Sequence, residues 1–400
     1  MNVIFLTLDR FLNINDREIS EDLMRKFRRE GHNVYVVCPR ERSFKMPTSL
    51  TEQGGVSILG VKTLNMQKSS IIEKGIGTLL IEGQFKRAIK KYFKGIQFDL
   101  ILYTTPPITF TNVVKYLKKK NPQAKSYLLL KDIFPQNAVD MEMFSKKSPF
   151  WWYFRRKEVA LYKASDFIGC MSPANVEFVL QHNSFVDPQT IEVAPNSIEL
   201  AEQVSLSDEE KQAMRNKYQI PINKPVFIYG GNLGKPQGIP FLIECLEANK
   251  NREDCHFLIV GSGTEYGKLK EWFDSSNSQS VSLYQRLPKS DYDKLVQCCD
   301  VGLIFLDHRF TIPNFPSRLL SYLEYKMPVI CATDPNTDMG RIAEENGFGY
   351  WCESNSVEAF NSMLDRMINS NMSAMGEAGF RYLSSNFLVE NTYGAIIKHF

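Results

Sequence analysis

Short continuous apolar runs alternate with stretches of helical period along the whole chain. In the first half such runs predict strands over residues 3–8, 33–38, 56–59, 99–103, 126–130, 166–171 and 191–194. They are apolar at successive positions rather than at every second one, as expected of strands covered on both faces. Between them Ile19, Leu23 and Phe27 recur at i, i+4 and i+8 in a helix that Gly31 ends, and further helices are expected over 78–93, 109–119, 148–162 and 173–180. The second half repeats the rhythm, with strands over 225–231, 256–260, 281–284, 300–306 and 328–332. Its helices fall over 239–248, from 264, and over 316–327, 339–345, 356–369 and 380–400. This alternation predicts parallel sheets in an α/β fold. Residues 41–75, polar and carrying Gly54, Gly55, Gly60 and Gly75, read as mobile loops around the 56–59 strand, and the polar run 197–211 reads as a hinge. A chain of 400 residues is too long for one core and suits two domains of roughly 200 each. They are placed at 1–195 and 196–375, with a terminal helix in 376–400.

Composition narrows the class. Hydrophobic residues at 43% with 23% charged residues fit a globular protein. No apolar run reaches the ~18 residues that cross a bilayer. The run at 3–8 meets Asp9 and Arg10 at once, so no signal peptide and a cytoplasmic location are expected. Eight cysteines without a CxxC pair read as reduced, mostly buried thiols, and five histidines without metal spacing predict neither a catalytic metal nor a cofactor. The opening βαβ stretch lacks GxGxxG, which argues against an NAD or FAD enzyme. The net charge of +3 divides into +10 over residues 1–195 and −7 over the rest. A basic first half suits an anionic surface or a phosphorylated acceptor, although solvated charge alone also produces such a split; no nucleic-acid partner is expected.

Candidate chemistry gathers in a few stretches. In TIPNFPSRLLSYLEYKMPVIC, residues 311–331, Pro313 and Pro316 delay a helix whose apolar stripe is Leu319, Leu320 and Leu323. Unpaired N–H groups at such a start, with Arg318 as a planar cation, suit a diphosphate; an ordinary helix–strand unit with a surface arginine is the other reading. The glycine-rich turns around Gly231 and Gly261–Gly263 would let backbone approach phosphate. Asp132 ends a strand at the carboxyl edge of the first sheet, where it either meets a ligand or caps the next turn. Residues 150–157, FWWYFRRK, set rings beside cations, which suits a membrane interface as well as a buried helix.

The stretch FPSRLLSYLEYKMPVICATD resembles the donor segment of the family 4 retaining nucleotide-sugar glycosyltransferases, in the branch that builds bacterial surface polysaccharides. Pro316, Ser317, Arg318, Tyr322, Pro328, Val329 and Ile330 match by position. The resemblance implies a GT-B fold, two doubly wound Rossmann-like domains facing across a cleft, with the terminal helix crossing back to the first. It places Gly231, Asn232, Leu233, Gln237 and Gly238 in the phosphate turn and Gly261 and Gly263 in a second turn; the arginine and lysine of the commoner family pattern are absent from the first, which leaves Lys235 as the candidate diphosphate cation. Arg286 then falls near the base, and Asp132, Phe134, Pro135 and Gln136 on the acceptor side. The family's Glu-x7-Glu pair is replaced by Pro313 and Ser321, and Glu324, one turn on, could offer the carboxylate for the ribose. The loop over 9–17 lacks the family's glycine pair. The implied reaction is metal-independent, retaining transfer from a UDP- or GDP-sugar to a polyprenyl-diphosphate-linked saccharide. Asp132, Lys235 and Arg318 are its catalytic residues, and Trp151, Trp152, Arg155 and Arg156 face the inner-membrane surface. An epimerase or hydrolase on the same fold, and a non-catalytic partner subunit, are the alternatives.

Overall fold

The computed structural model describes residues 1–65, 71–200 and 206–400. The parts of the predicted loop and hinge at 66–70 and 201–205 lie outside the described residues. The chain divides into two compact units, Met1–Glu199 with Leu388–Phe400, and Leu200–Phe387. The junctions thus fall a few residues after 195 and about a dozen after 375.

In the first unit eight strands form one sheet: β1 Asn2–Leu6, β2 Asn33–Glu41, β3 Ser49–Gln53, β4 Val56–Thr63, β5 Leu100–Thr104, β6 Lys125–Leu130, β7 Phe167–Cys170 and β8 Ile191–Val193. The order is β3-β4-β2-β1-β5-β6-β7-β8, parallel throughout except for the β3–β4 pair. β1 and β5 are almost wholly buried apolar side chains, which is why their runs show no alternation. Within the region read as loops, residues 49–63 form a hairpin. Gly54 and Gly55 both adopt positive φ, +56° and +76°, and turn β3 back onto β4. β3 is polar and lies at the sheet edge, so no apolar signal marked it.

The helix Ile19–Arg29 buries Leu23, Met24 and Phe27. Against it packs the last helix, Val389–Ile397, with Tyr393 edge-on to Phe27 at 5.0 Å and Ile396 fully buried. The expected single helix over 380–400 is therefore two, Met372–Asn386 in the second unit and Val389–Ile397 in the first. Helices Ile71–Tyr92, Thr111–Lys120, Gln136–Asp140, Pro149–Tyr162 and Pro173–His182 also belong to this unit.

The second unit holds six parallel strands: β9 Val226–Asn232, β10 His256–Ser262, β11 Val281–Tyr284, β12 Val301–Phe305, β13 Val329–Thr333 and β14 Gly349–Glu353. Their order, β11-β10-β9-β12-β13-β14, reverses direction between β9 and β12, and such a switch point opens a crevice at the carboxyl ends of the two strands. Part of the predicted hinge is helix Asp208–Lys217, started by a capping box between Ser207 and Glu210. The helix expected over 316–327 runs only from Arg318 to Glu324, because Lys326 takes a left-handed φ of +55°. All eight cysteines are free and buried.

Candidate active site

At the switch point of the second unit, β9 ends in Gly230-Gly231-Asn232. A Cβ on Gly230 would collide with the Tyr292 hydroxyl, and one on Gly302 with the Tyr322 ring, so these glycines admit two tyrosines beside β9 and β12. Tyr322 accepts a hydrogen bond from the Gly230 N–H at 3.1 Å and donates to the Ile228 carbonyl at 3.2 Å. Arg318, half-buried, lies with its guanidinium carbon 4.3 Å from the Tyr229 ring centroid. Burial opposes its charge, and the surrounding Tyr229, Tyr322 and Tyr292 more than restore it, holding its pKa above the ordinary arginine value.

Two observations show what this cluster lacks. Arg318 Nη1 is buried and has no hydrogen-bond partner among the described residues. Gly231 has φ +117°, and the atoms nearest to where a Cβ would stand are Arg318 Nη2 and Cζ at 3.9 and 4.0 Å. A buried donor left unmade costs about 1–3 kcal/mol. An oxyanion that reached Nη1 would remove that cost, and one beside Gly231 would meet Nη2.

The other expected donor residues divide. Asn232 is exposed, and its amide donates to Gln237 Oε1 at 3.1 Å, as does the Gly234 N–H at 3.2 Å, so this pair closes the turn on itself. Lys235 is exposed on that turn. Gly238, at φ +57°, packs against Leu306 and Asp307, and the Asp307 N–H donates to the Pro236 carbonyl at 3.0 Å, tying this turn to the segment that leads to Arg318. A Cβ on Gly261 would strike the Gly231 carbonyl and one on Gly263 the Leu233 carbonyl; both glycines serve close backbone packing that sets the turn after β9 in place. Arg286 is exposed in the loop after the edge strand β11.

Pro316 and Ser317 close a tight turn through their carbonyls, which accept from Leu319 and Leu320 at 3.2 and 3.1 Å. The loop before them is pinned by the chain Asn314 N–H to Thr337 Oγ1 and Thr337 hydroxyl to Asp334, at 3.0 and 2.9 Å. With a helix of only seven residues, the fixed cation rather than the macrodipole carries the attraction for an anion. Ser321 is half-buried, while Glu324 is only 4% exposed, so the two candidates for the ribose differ in access. Tyr229 and Tyr292 had not been expected. Tyr229 precedes the glycine pair directly, a signal that could have been read; Tyr292 has none nearby.

In the first unit Asp132 follows β6 and is half-buried. Thr105, at the end of β5, accepts from the Lys131 and Asp132 N–H groups at 3.0 and 3.1 Å and donates to the Asp132 carbonyl at 3.1 Å. Asn137 donates to the Asp132 carboxylate at 2.7 Å, while Asn137 Oδ1 is buried without a partner among the described residues. Close by, burial pushes the Glu21 carboxyl up to about 8, with Asp9, Glu18 and Asp16 adding repulsion. Burial also lowers the Lys131 pKa, which Asp9 and Glu21 partly offset.

On the aromatic helix Pro149–Tyr162 the expected membrane set differs in exposure. Trp152 is 61% exposed, with the Arg156 guanidinium 5.0 Å from its ring. Trp151 is half-buried, and Arg155 is committed to Glu158, to the His182 carbonyl and to Asn183.

Comparison with known proteins follows the same lines. The chain is 14% identical to sucrose-phosphate synthase from Thermosynechococcus elongatus, with a TM-score of 0.76 over 100% of this chain and 98% of that one. To HepE of Anabaena in complex with UDP it is 15% identical, with a TM-score of 0.70 over 100% and 99%. Its two parallel-sheet α/β domains have the GT-B fold of these neighbours. More narrowly, residues 210–381 match the family described as Glycosyl transferases group 1, so the second unit is a group 1 glycosyltransferase domain. Among curated proteins the chain is 22% identical over 322 residues to the probable glycosyltransferase WbjE of Pseudomonas aeruginosa, covering 80% of this chain and 78% of that protein. It is 27% identical over 169 residues, 41% of this chain and 40% of the relative, to the putative colanic acid biosynthesis glycosyl transferase WcaI of Escherichia coli K12.

Proposed function

We propose that the protein transfers a sugar from a UDP- or GDP-sugar to a polyprenyl-diphosphate-linked saccharide during cell-surface polysaccharide assembly, with retention of configuration and without a metal ion. The observation that carries the donor half is Arg318 beside Gly231: its Nη2 lies on the open side of the glycine, and its buried Nη1 has no hydrogen-bond partner among the described residues. The likeness to HepE bound to UDP supports a nucleotide donor, and the likeness to WcaI supports a polysaccharide product. In this reading the backbone at Gly231, with Ser317 and Arg318, holds the diphosphate, and Lys235 reaches it from its exposed turn. As the bond between the sugar C1 and the phosphate oxygen breaks, charge grows on that oxygen, and preplaced cations lower the barrier. The acceptor oxygen bonds to C1 from the same face, and its proton passes to the departing phosphate. Asp132 orients the acceptor hydroxyl, Arg286 lies near the base, and Ser321, more accessible than Glu324, takes the ribose.

Saturation with the right donor, at a hundred times its dissociation constant, should add about 2.7 kcal/mol of stability. Arg318→Ala should lower kcat by roughly 10²–10³, or ~2.7–4 kcal/mol, with a chelator leaving the wild-type rate unchanged. Unaltered turnover in Arg318→Ala would remove the residue from the site. Release of free sugar without transfer would turn the reading toward hydrolysis.

A further inference from the structure

β9 and β12 pair at Phe227–Val301 and Ile228–Gly302 and then part, so the backbone groups of β9 beyond that point need other partners. Tyr322 supplies one. Its hydroxyl accepts from the Gly230 N–H at 3.1 Å and donates to the Ile228 carbonyl at 3.2 Å, taking the place in the ladder that β12 has left. The ring reaches there because Gly302 has no side chain. Arg318 stands one turn earlier on the same helix, Arg318–Glu324, so the hydroxyl that ties Tyr322 to β9 also sets where the guanidinium meets that strand. It meets it at Tyr229, which is fully buried. The Tyr229 ring centroid lies 4.3 Å from the guanidinium carbon, a cation over a π face, and the Tyr229 hydroxyl donates to the Asn232 carbonyl at 2.9 Å. One side chain thus holds the cation with its ring and the turn past Gly231 with its hydroxyl. Phe305, edge-on at 6.2 Å, packs beside the ring.

From this arrangement we infer that Tyr229 is a positioning residue for nucleoside-diphosphate binding, coupling Arg318 to the turn after β9, with Tyr322 as the strut that sets the helix against the strand. The inference deepens the nucleotide-sugar reading of this site and rests on it. A guanidinium free to rotate loses side-chain entropy when it meets an anion; one already laid on a ring loses less. The Asn232 carbonyl, one residue past Gly231, would repel a phosphate oxygen bound there, and the hydroxyl that donates to it weakens that repulsion. A tyrosine that served only the core would add stability and nothing to affinity. This one adds affinity through Arg318.

Calorimetric titration of the full chain with UDP and with GDP tests this in a double-mutant cycle of wild type, Tyr229→Leu, Arg318→Ala and the two together. Tyr229→Leu should weaken the nucleotide that binds about tenfold when Arg318 is present, and by less than about twofold when it is already alanine. Tyr229→Phe keeps the ring and should recover most of that loss, staying within about threefold of wild type. Equal losses in the two backgrounds would show a tyrosine acting through the core alone and overturn the inference. Wild-type affinity in Tyr229→Leu, or a Tyr229→Phe as weak as Tyr229→Leu, would do the same. Should Tyr229→Leu fail to fold, Tyr322→Phe takes its corner of the cycle: it should weaken binding at least about threefold with Arg318 present and hardly at all without it, and equal losses there overturn the inference too. A wild type that binds neither nucleotide loses the nucleotide-sugar reading together with this one, whereas a wild type that binds and gives an additive cycle keeps that reading and loses only this inference.

Discussion

Arg318 matters here less for its charge, which any surface arginine has, than for its placing: Nη2 stands beside a glycine with positive φ, and the buried Nη1 has no partner among the described residues. Gly231→Ala tests that pairing. Its methyl would point at the guanidinium from a φ of +117°, a conformation that costs a side chain on the order of 1–3 kcal/mol. The expected result is a donor affinity at least tenfold weaker by calorimetry, with a melt lowered by no more than that strain; unchanged affinity would place the anion elsewhere. Arg318 was legible because Pro-Ser-Arg before an apolar stripe is a local pattern. Tyr292 was not, because its only claim on the site is that Gly230 lacks a side chain 62 positions earlier in the chain, a contact made by the sheet. Gly261 and Gly263 show the converse. Their pattern suggested phosphate, and their surroundings assign them to the packing of β10 on the β9 turn.

Elements were legible where they are buried and hidden where they are not. Central strands such as β1, β5 and β12 announce themselves as apolar runs, whereas β3, polar at the edge, could be inferred only from its Gly54-Gly55 turn. The division of the C-terminal stretch into two helices escaped notice because Phe387 and Leu388 continue its apolar character. That division has a measurable consequence. Ile396 is fully buried in the first unit, so Ile396→Ala should cost that unit ~2–5 kcal/mol and leave the second untouched. Denaturant unfolding followed at Trp151 and Trp152, against reporters at Trp272 and Trp351, would separate the two transitions. Equal shifts in both would contradict the assignment of the last helix.

For the molecule as a whole, the α/β alternation predicted two parallel-sheet units and the structure has them; the return of the last helix to the first unit was expected from the family resemblance alone, and packing puts the junction at Leu388. Each unit also buries a carboxyl with a raised pKa, and so responds to pH separately. Glu21 rises mainly by burial from 4.5 to about 8, and Asp334 mainly by burial from 3.8 to about 6, against hydrogen bonds from Thr337 and Asn336. A carboxyl raised on folding binds a proton that the unfolded chain has released. Stability is therefore highest below the ordinary value and falls as pH rises through the folded one. The second unit should weaken between about pH 4 and 6, and the first between about pH 4.5 and 8. Glu21→Gln should flatten the first slope and make the unit ~2–4 kcal/mol more stable than wild type at pH 9, read from melts across pH. An unaltered slope in that variant would show that Glu21 is not the titrating group.

The two places where the chain leaves and rejoins the first unit lie side by side. Ile198 bridges to Leu388, and the Val389 N–H donates to the Ile198 carbonyl at 3.1 Å. In effect one unit is spliced into the other. During synthesis at the ribosome, the portion begun earliest must wait nearly 190 residues for the segment that seals it, exposing Phe27 and its neighbours meanwhile. Translation order and completion order are thus reversed, and a ribosome stalled before residue 388 releases a product whose later half is finished and whose earlier half is not.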